Sequence, residues 1–172
     1  MILKNYWKWL EAVQKVNFWQ SYSGDYNVGL KAVDGSNALI LLNATNDTNY
    51  FYRIADNHDL SKYLTIRLGS DDSEVTSDDY ALENDVTSSI SNYSYTFSSS
   101  ADNGVSRIIT IQGSNCGSQP ITIKQVGICK DIWYIPSSYA QKTVMMAVHV
   151  LNEPIEVLPG NNFKLVFEWI EQ

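Results

Sequence analysis

The stretch RIITIQGSNCGSQPITIKQVGIC, Arg107 to Cys129, decides how this chain is read. Two runs rich in β-branched residues, RIITIQG and ITIKQVGIC, flank the polar loop SNCGSQP, and together they read as a β-hairpin. Each cysteine then falls beside a strand, so Cys116 and Cys129 could face one another across the hairpin. No export signal is evident, and two free, buried thiols are expected rather than a disulfide.

Working outward, the same strand pattern continues in both directions. Downstream come TVMMAVHVL, the turn-rich NEPIEVLPGNN, and FKLVFEWI, in which Phe163, Leu165, Phe167 and Trp169 share one face. Lys164 and Glu168 take the other face. Upstream, ISNYSYTFSSS alternates through Ile90, Tyr93, Tyr95 and Phe97, and ADNGVS joins it to the next strand through the turn-forming Asn103-Gly104. YLTIRLG places Leu64, Ile66 and Leu68 on one face, with Thr65 and Arg67 opposite. YFYRIA and ALILL are further strands, and DGSN (Asp34 to Asn37) is a turn. About eight closely spaced strands predict an all-β fold, a β-sandwich or jelly-roll-like domain.

One segment reads differently. Asn5 is placed to cap an amphipathic α-helix in which Tyr6, Trp9, Leu10 and Val13 recur at helical spacing to about Val16. The chain therefore divides into an N-terminal helix or docking extension, residues 1–20, and a single β-sandwich domain, residues 21–172. Within the extension, Tyr6, Trp7, Trp9, Phe18 and Trp19 are the candidate partner interface, because Trp and Tyr are typical contact anchors.

Composition narrows the partners. With 12 basic against 19 acidic residues the net charge is −7, and no basic stripe offers a footprint for nucleic acid or an anionic membrane. The opening MILKNYWKWLEAVQKV lacks the apolar run and cleavage site of a secretory leader, and nothing approaches a membrane-spanning length. Eleven Tyr and five Trp favour strands and contact surfaces.

Catalytic signatures are missing. His58, in the polar turn ADNHDL, and His149, in the strand VMMAVHVL, are the two histidines. Alternation puts His149 on one face with Met145, Ala147 and Leu151, where a partly buried, satisfied histidine is expected. Cys116 is the one plausible nucleophile, and nothing marks a base for it. The expectation is a protein that is not an enzyme and needs no cofactor or metal.

The acidic run GSDDSEVTSDDYALENDV, Gly69 to Val86, holds seven acidic residues and no basic one. A calcium loop would need alternating ligands and a glycine at the sharp turn, but Thr76 occupies the sixth position from Asp71. The favoured reading is a solvated loop pinned to the sandwich by Tyr80 and Leu82. Exposed aromatics on such a sandwich could also stack on sugar rings, so a carbohydrate-binding module for host-surface glycans is the alternative function.

The order of elements resembles a class of virion structural proteins in tailed bacteriophages. The matching positions are Asp79-Tyr80-Ala81-Leu82, Ile109-Thr110-Ile111 with Asn115, Ile121 to Gly127, and Val150 to Gly160. The opening NYWKWLEA looks like the starts of structural proteins in crAss-like phages of gut Bacteroidetes. The chain departs from that pattern at Gln125, where Glu is usual, and in the acidic loop after Gly69. The resemblance implies a non-enzymatic, multicopy or homo-oligomeric component of the tail or neck assembly, or of the capsid surface as a decoration. Its partners would be other virion proteins, and it would reach the virion after assembly in the bacterial host cytoplasm.

Overall fold

Residues 1–8, 24–42, 64–99, 106–134 and 140–170 are described by the structure, a computed structural model. The β-branched and aromatic runs form β1 (Gly24–Lys31), β2 (Asn37–Leu42), β3 (Leu64–Gly69), β4 (Ile90–Ser99), β5 (Ser106–Asn115), β6 (Ile121–Tyr134), β7 (Ala140–Val157) and β8 (Asn162–Ile170). β1 and β2 pair as an antiparallel ribbon around the Asp34-Gly35 turn. The other strands make two antiparallel sheets, ordered β3-β6-β7 and β4-β5-β8. Leu64, Ile66 and Leu68 of the first sheet share one buried cluster with Ile109, Ile111, Phe163 and Leu165 of the second. The fold is all-β, as the alternating pattern predicts, with the main core between the sheets.

The expected hairpin at Arg107 to Cys129 does not form. β5 and β6 lie in different sheets, and residues 116–120 carry the chain from one layer to the other. Each strand is central in its own sheet: β5 pairs with β4 and β8, and β6 with β3 and β7. Two apolar strands that face each other across a core each keep two hydrogen-bonded neighbours, and a local hairpin would take one of those places. A short polar loop serves either arrangement, so the local pattern misleads.

All three sheet-to-sheet crossings fall at one end of the sandwich. They are residues 70–89 between β3 and β4, residues 116–120, and residues 158–161 between β7 and β8. Asn115, 1% exposed, joins the second and third of these, and its neighbour Cys116 reaches the first. The Asn115 Nδ2 donates to the carbonyls of Gln119 (2.9 Å) and Val157 (2.8 Å), and its Oδ1 accepts from the Gly117 amide at 2.9 Å. The Asn115 N–H donates to Asn161 O, its carbonyl accepts from Gly160 N–H, and the next amide, Cys116, donates to Ser89 O. Every polar group of a buried residue is thereby used.

Bulges account for three departures from simple alternation. Ile90 and Tyr93 share the inward face although three residues apart, because the β4–β5 register shifts between Ser91 and Ser94 and Asn92 adopts φ 51°. In β7, Ala147 pairs with Ile128 and Met145 with Cys129, which leaves Met146 extra. Met145 consequently packs in a different cluster from Met146 and Ala147. The face predicted for Met145, Ala147, His149 and Leu151 is broken there, and His149 is exposed rather than partly buried. Finally, NEPIEVLPGNN is mostly strand, since β7 runs to Val157 and only residues 158–161 turn. Pro154 stays unpaired in a register shift opposite Ile123 and Gln125.

The two sheets are also joined along their sides. Tyr93 and Tyr95 on β4 donate their hydroxyls to the carbonyls of Ile66 (2.9 Å) and Leu64 (3.0 Å) on β3. Burial pushes the Tyr93 hydroxyl well above its ordinary range, so it remains a donor. On the opposite side, the His149 ring stacks on Phe167 at 4.9 Å.

The two cysteines have different fates. Both are free; Cys116 is exposed in the crossing loop, against expectation, and Cys129 is buried. Burial pushes the Cys129 thiol up to about 12, so almost none of it is thiolate near neutrality. A thiol reagent at pH 8 is expected to modify one cysteine per folded chain, Cys116, and to reach Cys129 only after unfolding. Equal rates at both positions, read by peptide mass mapping, would contradict this packing.

Candidate functional site

The acidic stretch sits on the outer face of the β3–β6–β7 sheet. Its own apolar side chains hold it there. Val75 and Leu82 of the loop pack against Cys129, Met145 and Val148, a second, smaller buried cluster that also takes Leu3. Leu82 needs glycine beneath it: a Cβ on Gly127 would lie 3.2 Å from Leu82 Cδ1 and 3.1 Å from Met145 Sδ. Tyr80 lies beside the Gly35 turn, and the Lys31 ammonium sits 4.3 Å from its ring centroid. Both expected anchors are half-buried, as the sequence predicts.

Gln125 fixes the loop from below. It is 3% exposed, and its Nε2 donates to the Ser73 carbonyl. An ionised glutamate has no N–H to offer a carbonyl. Gln125 and the acidic loop are thus two sides of one contact.

Most of the acids have structural work. Asp72 pairs with Lys124, Asp78 with Lys4 and Asp85 with Arg67. Asp79 accepts from the amide and hydroxyl of Thr76, and Asp71 from the Ser73 amide and the Asn84 side chain. The Ser73 hydrogen bonds hold the Asp71 carboxyl below the usual carboxylate range. Burial works to raise Asp85, but the Thr87 hydroxyl and amide and the Arg67 guanidinium outweigh it and keep this carboxyl low. Asp85 also pairs with Gly69, and the Val86 amide donates to Leu68 O, so the loop's return covers the free edge of β3. A cleft of about 220 Å³ remains between loop and sheet, lined by Val75, Asp79, Tyr80, Leu82, Gln125 and Val148 among others. Among the described residues no group of three or more His, Cys, Asp or Glu side chains is arranged to hold a metal ion.

The N-terminal segment is built into this same face. Ile2 bridges to Ala147, the Leu3 amide donates to Met146 O, and the Val148 amide donates to Met1 O. Residues 4–8 then turn helically. Asn5 does not cap that turn. It lies inside it, buried, and its Nδ2 donates to the carbonyls of Lys31 and Met145 while its Oδ1 accepts from the Lys31 amide. These tertiary carbonyls replace the capping role because Leu3, fully buried, draws the chain down onto β7.

The five proposed contact aromatics separate accordingly. Tyr6 is half-buried against the main core, and Trp7 is 55% exposed with its ring edge-on to Tyr6. Trp9, Phe18 and Trp19 lie outside the described residues, as do His58 and YFYRIA. Among the Phe, Tyr and Trp side chains whose burial is described, Trp7 is the exposed one, so no second such ring joins it in a platform for a sugar. Cys116 Sγ contacts the Ser89 carbonyl, and His149 is on the side of the sandwich with Phe167.

Comparison with protein-family models, with curated proteins and with solved structures gave no match for this chain.

The loop's apolar anchors should therefore matter more than its exposed acids. Leu82→Ala is expected to cost about 2–3 kcal/mol, the lower part of the range for truncating a packed leucine. Glu74→Ala and Glu83→Ala, both at exposed positions, should stay within about 0.5 kcal/mol of the parent. Urea unfolding of the three variants checks the order, and a larger loss from either glutamate would contradict it.

Proposed function

We propose that this chain is a non-enzymatic structural protein of a tailed-phage virion. It acts through protein–protein contacts as a multicopy component of the tail or neck assembly or of the capsid surface. The observation that carries the reading is the physical connection among the segments behind the resemblance. Leu82, of the Asp79-to-Leu82 element, packs over Gly127 of the Ile121-to-Gly127 element. Asn115, which follows Ile109-Thr110-Ile111, bonds Val157 and Gly160 of the Val150-to-Gly160 element. Gln125 pairs with Val150. Four separate motif matches thus describe one coupled unit at one end of the sandwich, and such a unit is what a shared architecture would retain.

The chemistry of the described surface is compatible with contacts rather than turnover. Most of the acids serve the loop's own packing, and Trp7 stands out from the body on the helical turn. Localisation in the virion and partnership with other virion proteins follow from the same proposal.

Particles banded on a density gradient from the phage that encodes this chain provide the test. Quantitative mass spectrometry should find the chain in the particle band at several copies per particle, and Trp7→Ala should lower its incorporation without changing its circular dichroism. Recovery only in the soluble fraction would overturn the proposal. Saturable binding on a glycan array would move the assignment to a sugar-binding module.

A further inference from the structure

Sheet edges decide how a β-sandwich meets its neighbours, and the four edges here are treated differently. The free side of β7 is occupied between Thr143 and Val148 by Met1 to Leu3 and by the Val33 amide, which donates to Thr143 O, and its continuation past His149 is broken by the register shift at Pro154. The free side of β3 is occupied by the return of the acidic loop and by the Tyr93 and Tyr95 hydroxyls. β4 is interrupted by its bulge at Asn92, a device that turns an edge away from pairing. β8 has none of these. Its nine residues pair with β5 without a register break, and among the described residues no backbone bond reaches its free side.

The outward face of β8 is its own complement. Val166, 53% exposed, lies midway between the exposed Lys164 and Glu168. These two charges are four residues apart, about 13 Å along a strand, too far to pair with each other. Neither has an ion-pair partner among the described residues. Two β8 strands laid antiparallel about a twofold axis at Val166 would set Val166 against Val166, and Lys164 of each copy against Glu168 of the other. On the inward face the same register sets Leu165 opposite Phe167, an apolar pair. A strand whose outward face matches itself in charge and shape fits a second copy of this chain.

We propose that two copies join through the free edge of β8, antiparallel and centred on Val166, so that the β4-β5-β8 sheet runs continuously through a dimer. Main-chain hydrogen bonds supply the attraction and the two Lys164–Glu168 pairs fix the register. The inference stands apart from the virion assignment, since either can fail without the other.

Analytical ultracentrifugation of the purified full chain over a concentration series is the test. The parent should show a concentration-dependent dimer. Glu168→Lys and Lys164→Glu, each alone, set like charges opposite one another twice, and should weaken dimerisation about tenfold or more. An equimolar mixture of these two variants restores both opposite-charge pairs and should recover a heterodimer at the parent's affinity. The double exchange K164E/E168K should also recover the parent's dimer. Circular dichroism verifies the fold of each variant, and if a single variant loses it, the double exchange alone decides. A parent that stays monomeric at every concentration, a dimer indifferent to the single reversals, or a double exchange that stays monomeric would overturn the proposal.

Discussion

Asn115 sits where two of the three chain crossings between the sheets meet, and the amide of its neighbour Cys116 reaches the third at Ser89 O. A crossing breaks the backbone ladder, and buried backbone groups that leave a ladder need new partners. Here the needs converge on the Asn115 side-chain amide. Its two donors take the carbonyls of Gln119 and Val157, its acceptor takes Gly117 N–H, and its own backbone reaches Gly160 and Asn161. With that geometry fixed, β5 and β6 lie across the core from each other and β7 returns as β8 through a four-residue turn. The order of the sheets follows.

The second consequence is on the outside of the β3–β6–β7 sheet. That face carries Cys129, Met145 and Val148, too apolar to leave in water, and the chain covers it with Val33, Val75, Leu82 and the buried Leu3. The acidic loop is therefore a lid on a small core, and its charges lie on the lid's solvent side or tie it down. A carboxylate stretch that resembles a metal loop in composition is here a solubilising surface over an apolar contact. The N-terminal segment is part of this same cover, so the division at residue 20 does not separate residues 1–8 from the domain that they seal.

Strand identity was legible because alternation reports which face is buried: Leu64, Ile66 and Leu68, and Phe163 and Leu165, are inward as read. Strand partnership was not, because a five-residue polar loop closes a hairpin or an interlayer crossing equally well. The bulges left faint traces. Ile90 and Tyr93 stand three apart where alternation calls for two, and Pro154 cannot donate to a ladder. The roles of Gln125, Asn5 and Asn115 depend on carbonyls distant in sequence, Ser73, Met145 and Val157, and no local pattern reports those. The anchors of the acidic loop were readable, since Tyr80 and Leu82 are the bulky apolar residues amid its charges.

The most direct measurement is the unfolding free energy of Asn115→Asp at pH 7 against the parent and Asn115→Ala. Asparagine and aspartate have nearly the same shape, so packing is conserved while both N–H donors vanish and a carboxylate faces the Gln119 and Val157 carbonyls. Asn115→Asp is expected to lose about 3 kcal/mol or more, at least as much as Asn115→Ala, because an uncompensated buried charge adds to the lost hydrogen bonds. A loss within about 0.5 kcal/mol, the range of an ordinary surface change, would contradict the claim that this amide holds the crossings together.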